Sequence, residues 1–344
     1  MLGASVALNC DIAIVGGGVL GLCVAVELTA RGHDVVVLDP GGPNASSVAA
    51  GMIAPAMESV LEDLGPERGQ LLRDAAALWP AFAIRTSIDL KPGPSAWRGD
   101  APEPVVESLR AMGFAAEIRD GAVWTGDQQV EPEPALDALR KRAGRVIDCR
   151  ASALFLSGDR WTVVTSTGPV VASALVIATG AAEALQGLPG SARGLVERII
   201  PIRGQIGRAR SAMVDGVTRG PGGYVAPMGE GTVIGATMGP GRRDLTVDVR
   251  EAAALVAVAE QLTRQDLDAR SVEWRVGIRG ATADGLPMAG PSGEPGLHLA
   301  LAPRRNGWLL GPLVGQIVAD GIEGRPPTVQ AEALDPRRFS RPAG

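Results

Sequence analysis

The segment from Asp11 to Asp39 constrains the fold of this chain more than any other. Asp11-Ile12-Ala13-Ile14-Val15 is a short apolar run suited to a buried parallel strand, and Gly16-Gly17-Gly18-Val19-Leu20-Gly21 follows it as G-x-G-x-x-G. Leu22 to Arg31 then carries apolar residues at helical spacing, with a basic last turn and Gly32 placed to end the helix. A second apolar run, Asp34-Val35-Val36-Val37-Leu38, stops at Asp39. Gly16 permits a tight turn, Gly18 lets backbone approach a pyrophosphate, and Gly21 lets helix and strand pack closely. The helix N-terminus turns its unsatisfied N–H groups toward phosphate. Asp39, 18 residues beyond Gly21, is placed to accept hydrogen bonds from an adenosine ribose. A carboxylate there disfavours the 2′-phosphate of NADP. The motif alone leaves FAD and NAD both open.

Composition narrows the class. A length of 344 residues suggests about two domains, and 46% hydrophobic residues suffice for a large core, which rules out disorder. With 38 acidic residues against 33 basic, the net charge of −5 has the wrong sign for a nucleic-acid binder. Cys10, Cys23 and Cys149 are widely spaced, so neither a disulfide framework nor a zinc site is expected; that usage suits a reducing cytoplasm. The apolar run from Ile12 to Val26 is too short to span a membrane, and the first basic residue is Arg31, too late for a secretory signal. A soluble cytoplasmic protein is expected, with no metal, nucleic acid or membrane as partner. Of two histidines, His33 reads as a solvated turn residue and His298 as a satisfied side chain on a strand.

After Pro40-Gly41-Gly42-Pro43 comes a run of small side chains, Asn44-Ala45-Ser46-Ser47-Val48-Ala49-Ala50-Gly51-Met52-Ile53-Ala54-Pro55. Such a run lets backbone amides and a flat ring approach closely, although an Ala-rich protein also uses it as a plain loop. The order G-G-G-V-x-G…D-P…A-S-S-x-A-A-G-M-I-A-P resembles the D-amino acid oxidase superfamily of FAD enzymes. Within it, the order is most similar to the glycine oxidases, which supply dehydroglycine for thiamine thiazole synthesis. The resemblance implies that Val19 and Leu20 touch the pyrophosphate, and that Ala45, Ser46, Ala50, Gly51 and Met52 line the flavin. No Cys falls near the C-terminal stretches 274–290 and 297–312, so FAD is expected to be held non-covalently.

Further along, apolar spacing predicts a helix from Glu58 to Ile84 with Leu61, Leu64, Leu71, Leu72, Leu78 and Phe82 as its core stripe. Residues 85–130 are rich in Pro and Gly with short extended runs, and a helix is expected from Ala135 to Ala143. Strands are read at 145–148, 153–156, 161–165 and 174–178, the last ending in Thr179-Gly180. The resemblance places Ala153 near the adenine and Gly180 beside FAD. Gly223–Pro227 and Thr232–Met238 are expected to pair antiparallel across Gly229-Glu230-Gly231; by resemblance they present Tyr224, the only Tyr in the chain, and Met238 to substrate. A helix is read from Arg250 to Arg264.

The stretch Trp274 to Gly290 resembles the family pattern W-x-G-L-R-P-x-T-P-D-G-x-P-x-x-G, and Arg279 stands at the Arg that binds the substrate carboxylate. A guanidinium offers two parallel donors to a carboxylate, fixing orientation as well as charge. Gly280 and Ala283 stand where the family has proline, so a looser backbone is expected there. Ala302-Pro303-Arg304-Arg305-Asn306-Gly307-Trp308-Leu309-Leu310 resembles G-H-x-R-N-G-I-L-L. It implies Arg305 as a second substrate-side Arg, with Arg304 to Leu309 lining the cofactor.

The fold expected is α/β: a Rossmann-like, glutathione-reductase-type FAD domain over 8–84, 140–200 and 279–330. A substrate domain over 85–139 and 201–278, built on a mixed, largely antiparallel sheet, interrupts it. The resemblance implies oxidation of a small amino acid with no catalytic acid or base, the flavin N5 taking hydride and O2 taking the electrons. Homo-oligomers are common among such proteins. A dehydrogenase with another acceptor, a tRNA-modifying relative and an NAD-dependent enzyme or nucleotide-binding module remain as other readings.

Overall fold

The computed structural model describes residues 7–62 and 64–340. The chain opens as expected with β1 (Leu8–Val15), α1 (Val19–Ala30) and β2 (Val35–Asp39). The helix begins three residues earlier than read, at the turn itself, and Gly32 follows it with φ +92°. Next come α2 (Ala45–Val48), β3 (Met52–Ile53), α3 (Pro55–Leu61), α4 (Pro66–Ala77) and α5 (Trp79–Thr86). The single helix expected over 58–84 is therefore three, divided at Pro66 and Pro80, because proline is accepted in a first turn and not within a helix. Its residue 63 lies outside the described residues. Leu71, Leu72 and Phe82 are buried, but Leu61 is exposed.

The segment expected to be merely extended holds β4 (Lys91–Trp97), α6 (Pro102–Ala111), β5 (Glu117–Arg119) and β6 (Ala122–Gln129). Pro102 opens α6 in its first turn. There follow α7 (Pro132–Arg140), β7 (Arg145–Asp148), β8 (Ala151–Ser157), β9 (Arg160–Thr165), β10 (Gly168–Ile177), α8 (Gly190–Glu197) and β11 (Ile200–Ala209). Then come β12 (Val217–Gly220), β13 (Gly223–Met228), β14 (Gly231–Gly235), β15 (Gly239–Pro240), α9 (Val249–Thr263) and β16 (Val272–Ala281). The chain closes with β17 (Met288–Pro291), β18 (Leu297–Leu301), α10 (Gly307–Ile322) and α11 (Val329–Leu334).

Two compact units emerge. One takes the chain up to Pro43, then Leu136–Pro201, then from Arg279 onward; the other takes Asn44–Ala135 and Ile202–Ile278. Residues 44–84, read with the first unit, gather with the second. The physical reason is pairing: β3 joins β6 through Met52–Gln129 and Ile53–Gln128, and Ala56 on α3 packs in one core cluster with Val106, Leu109 and Val123.

The first unit is built on the order β17-β18-β10-β1-β2-β7, with β9 on β10 and β8 on β9. β1 lies between β10 and β2, parallel to both, and β10 is parallel to β18. This doubly wound centre accounts for near-continuous apolar strands, since both faces are covered. His298 corrects the sequence reading. All five residues of β18 are buried rather than alternating, and His298 Nδ1 has no hydrogen-bond partner among the described residues. Burial pushes its imidazole down to about 4, against the pull of the Gly321 and Gly296 backbone. His33 is bonded as well as partly exposed, its Nε2 lying 3.1 Å from Glu323 Oε1.

The second unit carries the order β15-β11-β14-β13-β12-β4-β6-β3, with β16 on β11 and β5 on β6. Apart from the parallel β12–β4 pair, the described pairings within this order are antiparallel. The strands β13 and β14 pair antiparallel as expected, with Tyr224 opposite Gly235 and Ala226 opposite Val233, but Gly231 pairs with Met228 and β14 ends at Gly235, short of Met238. One face packs under α9 through Val225, Ile234, Leu255, Ala259 and Leu262. Among the described residues no helix is long and apolar enough to cross a membrane.

Candidate functional site

In the first unit the glycine turn joins the end of β1 to α1. Gly16 has φ +114°, and a Cβ there would overlap the Ala178 carbonyl just beyond β10. A Cβ on Gly17 would fall 2.6 Å from Asp39 Cγ, and one on Gly21 would overlap the Gly16 carbonyl. Steric necessity thus keeps the turn as bare backbone. Gly18 is the extended N-cap residue of α1; no side chain caps the helix and its first turn has no acid. Its N–H groups and dipole therefore favour an anion. Val19 and Leu20, in that first turn, are buried.

Asp39 ends β2 and is 5% exposed. Its Oδ1 accepts the Gly41 N–H at 2.7 Å, and Arg140 Nη2 on α7 stands 3.5 Å from the same oxygen. Arg140 belongs to no motif, and its only signal in the sequence is a cation in the last turn of a helix.

α10 runs against α1 with the backbones nearly touching. A Cβ on Gly307 would lie 3.2 Å from Val19 Cγ1, one on Gly311 2.9 Å from Cys23 Sγ, and one on Gly315 2.8 Å from the Cys23 carbonyl oxygen. The two helices therefore open side by side. Asn306 caps α10 without a side-chain bond, and Trp308 and Leu309 are buried in its first turn. Just ahead, the Arg304 N–H donates to the Gly280 carbonyl at 2.8 Å, and Ala281 bridges Pro303. That pairing ties the strand end bearing Arg279 to the turn bearing Arg305, both half-buried. Gly280 is not the loose point its missing proline suggested. A Cβ there would lie 2.9 Å from Ile199 Cγ2, 3.4 Å from the Gly180 carbonyl oxygen and 3.5 Å from Ala302 Cα. Gly180, at φ +66°, thus belongs to the same junction, while Ala153 of β8 bridges Gln186.

In the second unit the small-residue run is ordered by Asn44. Asn44 Oδ1 accepts the Ser46 and Ser47 N–H groups at 2.9 and 3.2 Å, and Ser47 Oγ accepts the Asn44 N–H at 3.0 Å, a capping box that folds Ala45–Val48 into α2. Beyond it Val48 and Ala50 pack with Tyr224, Ile206, Val217, Ala226 and Val233, and Met52 borders that cluster. Ala45 sits close to Gly277, where a Cβ would be 3.3 Å from Ala45 Cα. Gly51 holds φ +72° and a Cβ there would overlap the Val130 carbonyl. Of the two expected substrate-side residues on this sheet, Tyr224 is 9% exposed within the cluster, whereas Met238 lies past the end of β14 and is 40% exposed.

The donor set fits FAD: a side-chain-free glycine cradle, a buried carboxylate at a strand end and two adjoining helix N-termini. Comparison with known proteins agrees with that chemistry. The profile of the DAO family, FAD dependent oxidoreductase, matches residues 11–321. A glycine oxidase from Geobacillus kaustophilus (strain HTA426) is 33% identical over 91% of this chain and 93% of its own length. The tRNA 5-methylaminomethyl-2-thiouridine biosynthesis bifunctional protein MnmC of Caulobacter sp. (strain K31) is 29% identical over 96% of this chain, which spans 57% of that longer protein. The crystal structure of glycine oxidase from Geobacillus kaustophilus superposes with a TM-score of 0.81 at 28% identity, over 98% of this chain and 100% of that one. The chain therefore belongs to the DAO family of FAD-dependent oxidoreductases, as a glycine oxidase-like member.

Proposed function

We propose that this chain oxidises glycine or a related small amino acid to its imine, which water hydrolyses to the 2-oxo acid and ammonia. The observation that carries this reading is the 2.8 Å hydrogen bond from Arg304 N–H to the Gly280 carbonyl, which couples the Arg279 strand end to the Arg305 turn. FAD, when bound, would supply the two-electron redox chemistry, as acceptor of a hydride from the substrate and donor of electrons to O2, which leaves as hydrogen peroxide. Gly16 to Gly18 and the α1 N-terminus would hold the pyrophosphate, Asp39 the ribose, and the amides of Asn306 to Leu309 the ring carbonyl.

Arg279 binds the substrate carboxylate through paired N–H donors, and Arg305 adds positive charge on the same side. Tyr224 and Met238 bound the substrate in the second unit, which we read as the substrate domain, the first being the FAD domain. Positioning of a neutral amine accounts for the rate without an acid or base from either histidine. We further read the enzyme as cytoplasmic and its imine as a supply for thiamine thiazole synthesis. The net charge of −5 disfavours a tRNA substrate despite the likeness to MnmC.

Glycine added to purified holoenzyme without oxygen should bleach the flavin, and with oxygen should yield peroxide. No bleaching by glycine, sarcosine or small D-amino acids would sink this reading. Bleaching without oxygen uptake would favour a dehydrogenase with another acceptor.

A further inference from the structure

The sheet face that carries Tyr224 also carries a buried charge cluster with no part in the chemistry above. Arg219 on β12 stands opposite Tyr224 on β13 and beside Trp97 on β4, while Ser95 pairs with Thr125 and Gly93 with Asp127 across β4 and β6. Paired residues share a face, as do residues two apart along a strand, so Tyr224, Arg219, Ser95 and Asp127 lie on one side. Arg219 is 1% exposed; its Nη1 donates to Glu58 Oε1 at 2.7 Å, and its Nη2 lies 3.2 Å from Met52 Sδ.

Asp127 is the anomaly. It is 8% exposed, and neither carboxylate oxygen has a hydrogen-bond partner among the described residues; the buried Ser95 hydroxyl also lacks one. An isolated buried carboxylate is costly in its charged form. Glu58 already matches the charge of Arg219, so an ionised Asp127 leaves one negative charge in excess. Burial pushes its carboxyl up to about 6. Arg219 opposes that push, as does the Ser95 hydroxyl, close by though outside hydrogen-bond geometry, and Glu58 adds to it. Facing Asp127 are thus Arg219 from β12, Glu58 from α3 and Ser95 from β4, while Met52 of β3, paired with Gln129, lies on the same side.

We propose that Asp127 is a positioning residue that exchanges one proton with solvent, and that its charge sets how tightly the Tyr224 face holds a carboxylate substrate. With the proton on, the cluster is neutral. With it off, a buried negative charge opposes the substrate carboxylate through a poorly screening interior. Only an O–H bond is made or broken, the proton going to water. This inference rests on the amino-acid reading given above.

Two measurements on the holoenzyme test it. Infrared difference spectra follow the protonated-carboxyl stretch with pH. Acetate, a carboxylate with no amine to oxidise, is titrated in and followed by flavin absorbance. The wild type should lose a carboxyl band as pH rises through about 6, and its acetate affinity should fall roughly fivefold to tenfold over the same interval. Asp127→Asn should lack that band and keep the low-pH affinity at high pH. Ser95→Ala deletes only a hydroxyl and should move the midpoint upward, which serves if Asp127→Asn does not fold. A band that persists in Asp127→Asn, or a Ser95→Ala midpoint equal to the wild type, overturns the proposal; so does an acetate profile identical in Asp127→Asn and wild type. Absence of glycine oxidation with these responses intact overturns the substrate reading alone.

Discussion

Gly17 and Asp39 close on each other so tightly that a Cβ on Gly17 would fall 2.6 Å from Asp39 Cγ and 2.9 Å from its Cβ. The acid that we propose for the ribose is thereby one wall of the turn that we propose for the pyrophosphate. Asp39 cannot swing aside cheaply, because Gly41 and Arg140 hold its Oδ1.

Gly17→Ala should therefore cost cofactor before it costs fold. We expect FAD affinity to fall about a hundredfold or more, since the displaced carboxylate loses its bonds and enters the nucleotide's space. Equilibrium dialysis of the flavin measures this. A fully yellow Gly17→Ala protein with unchanged affinity would refute the packing argument.

Arg279→Lys keeps the charge and removes the paired donors. An increase in KM for glycine of about a hundredfold is expected, with FAD content unchanged. Steady-state kinetics beside the absorption spectrum separate the two quantities. An unaltered KM would move the carboxylate site elsewhere.

The elements that could be read from the sequence are those whose signal is contiguous. Gly16 to Gly21, with β1, α1 and β2 around them, form one uninterrupted stretch whose pattern and packing state the same thing. The α6 helix was missed because Pro102-Glu103-Pro104 reads as a breaker, although proline in a first turn starts a helix. Residues 44–84 gather with the second unit because Met52 and Ile53 pair with partners some seventy-five residues away, a relation that no local pattern carries. The site divides in the same way. Arg279 stands in a motif, whereas Glu58, Arg219 and Asp127 meet only because three separate elements converge, and no spacing announces that.

His298 should make the protein acid-sensitive. Its folded value of about 4 lies below the ordinary 6.5, so the stability that comes from keeping it neutral is present above about pH 6.5 and lost as pH falls toward 4. The difference amounts to about 3 kcal/mol at the acid end. Urea unfolding of His298→Gln and wild type should give curves that converge as pH is lowered. Parallel pH profiles would show that burial of His298 is not the cause.

Gly51→Ala forces a side chain into φ +72° and against the Val130 backbone, whose N–H donates to the Gly51 carbonyl at 3.0 Å. Neither partner is a flexible side-chain end. A loss of about 2 kcal/mol or more is expected, read as a lower denaturation midpoint. A midpoint equal to the wild type would mean that the Gly51–Val130 contact relaxes freely.

The order of β-strands in the first unit sets a timetable for synthesis. β1 takes its neighbours from widely separated parts of the chain, pairing Ile12 with Val35 almost at once and with Ala174 much later, and α1 waits for α10. Every residue from Val19 to Leu28 is buried in the finished protein. At roughly 5–20 residues per second, that apolar helix leaves the ribosome many seconds before Gly311 and Gly315 arrive to cover it. Nascent chains halted before residue 300 should therefore be held by chaperones and cut readily by proteases, and release of α10 should end both.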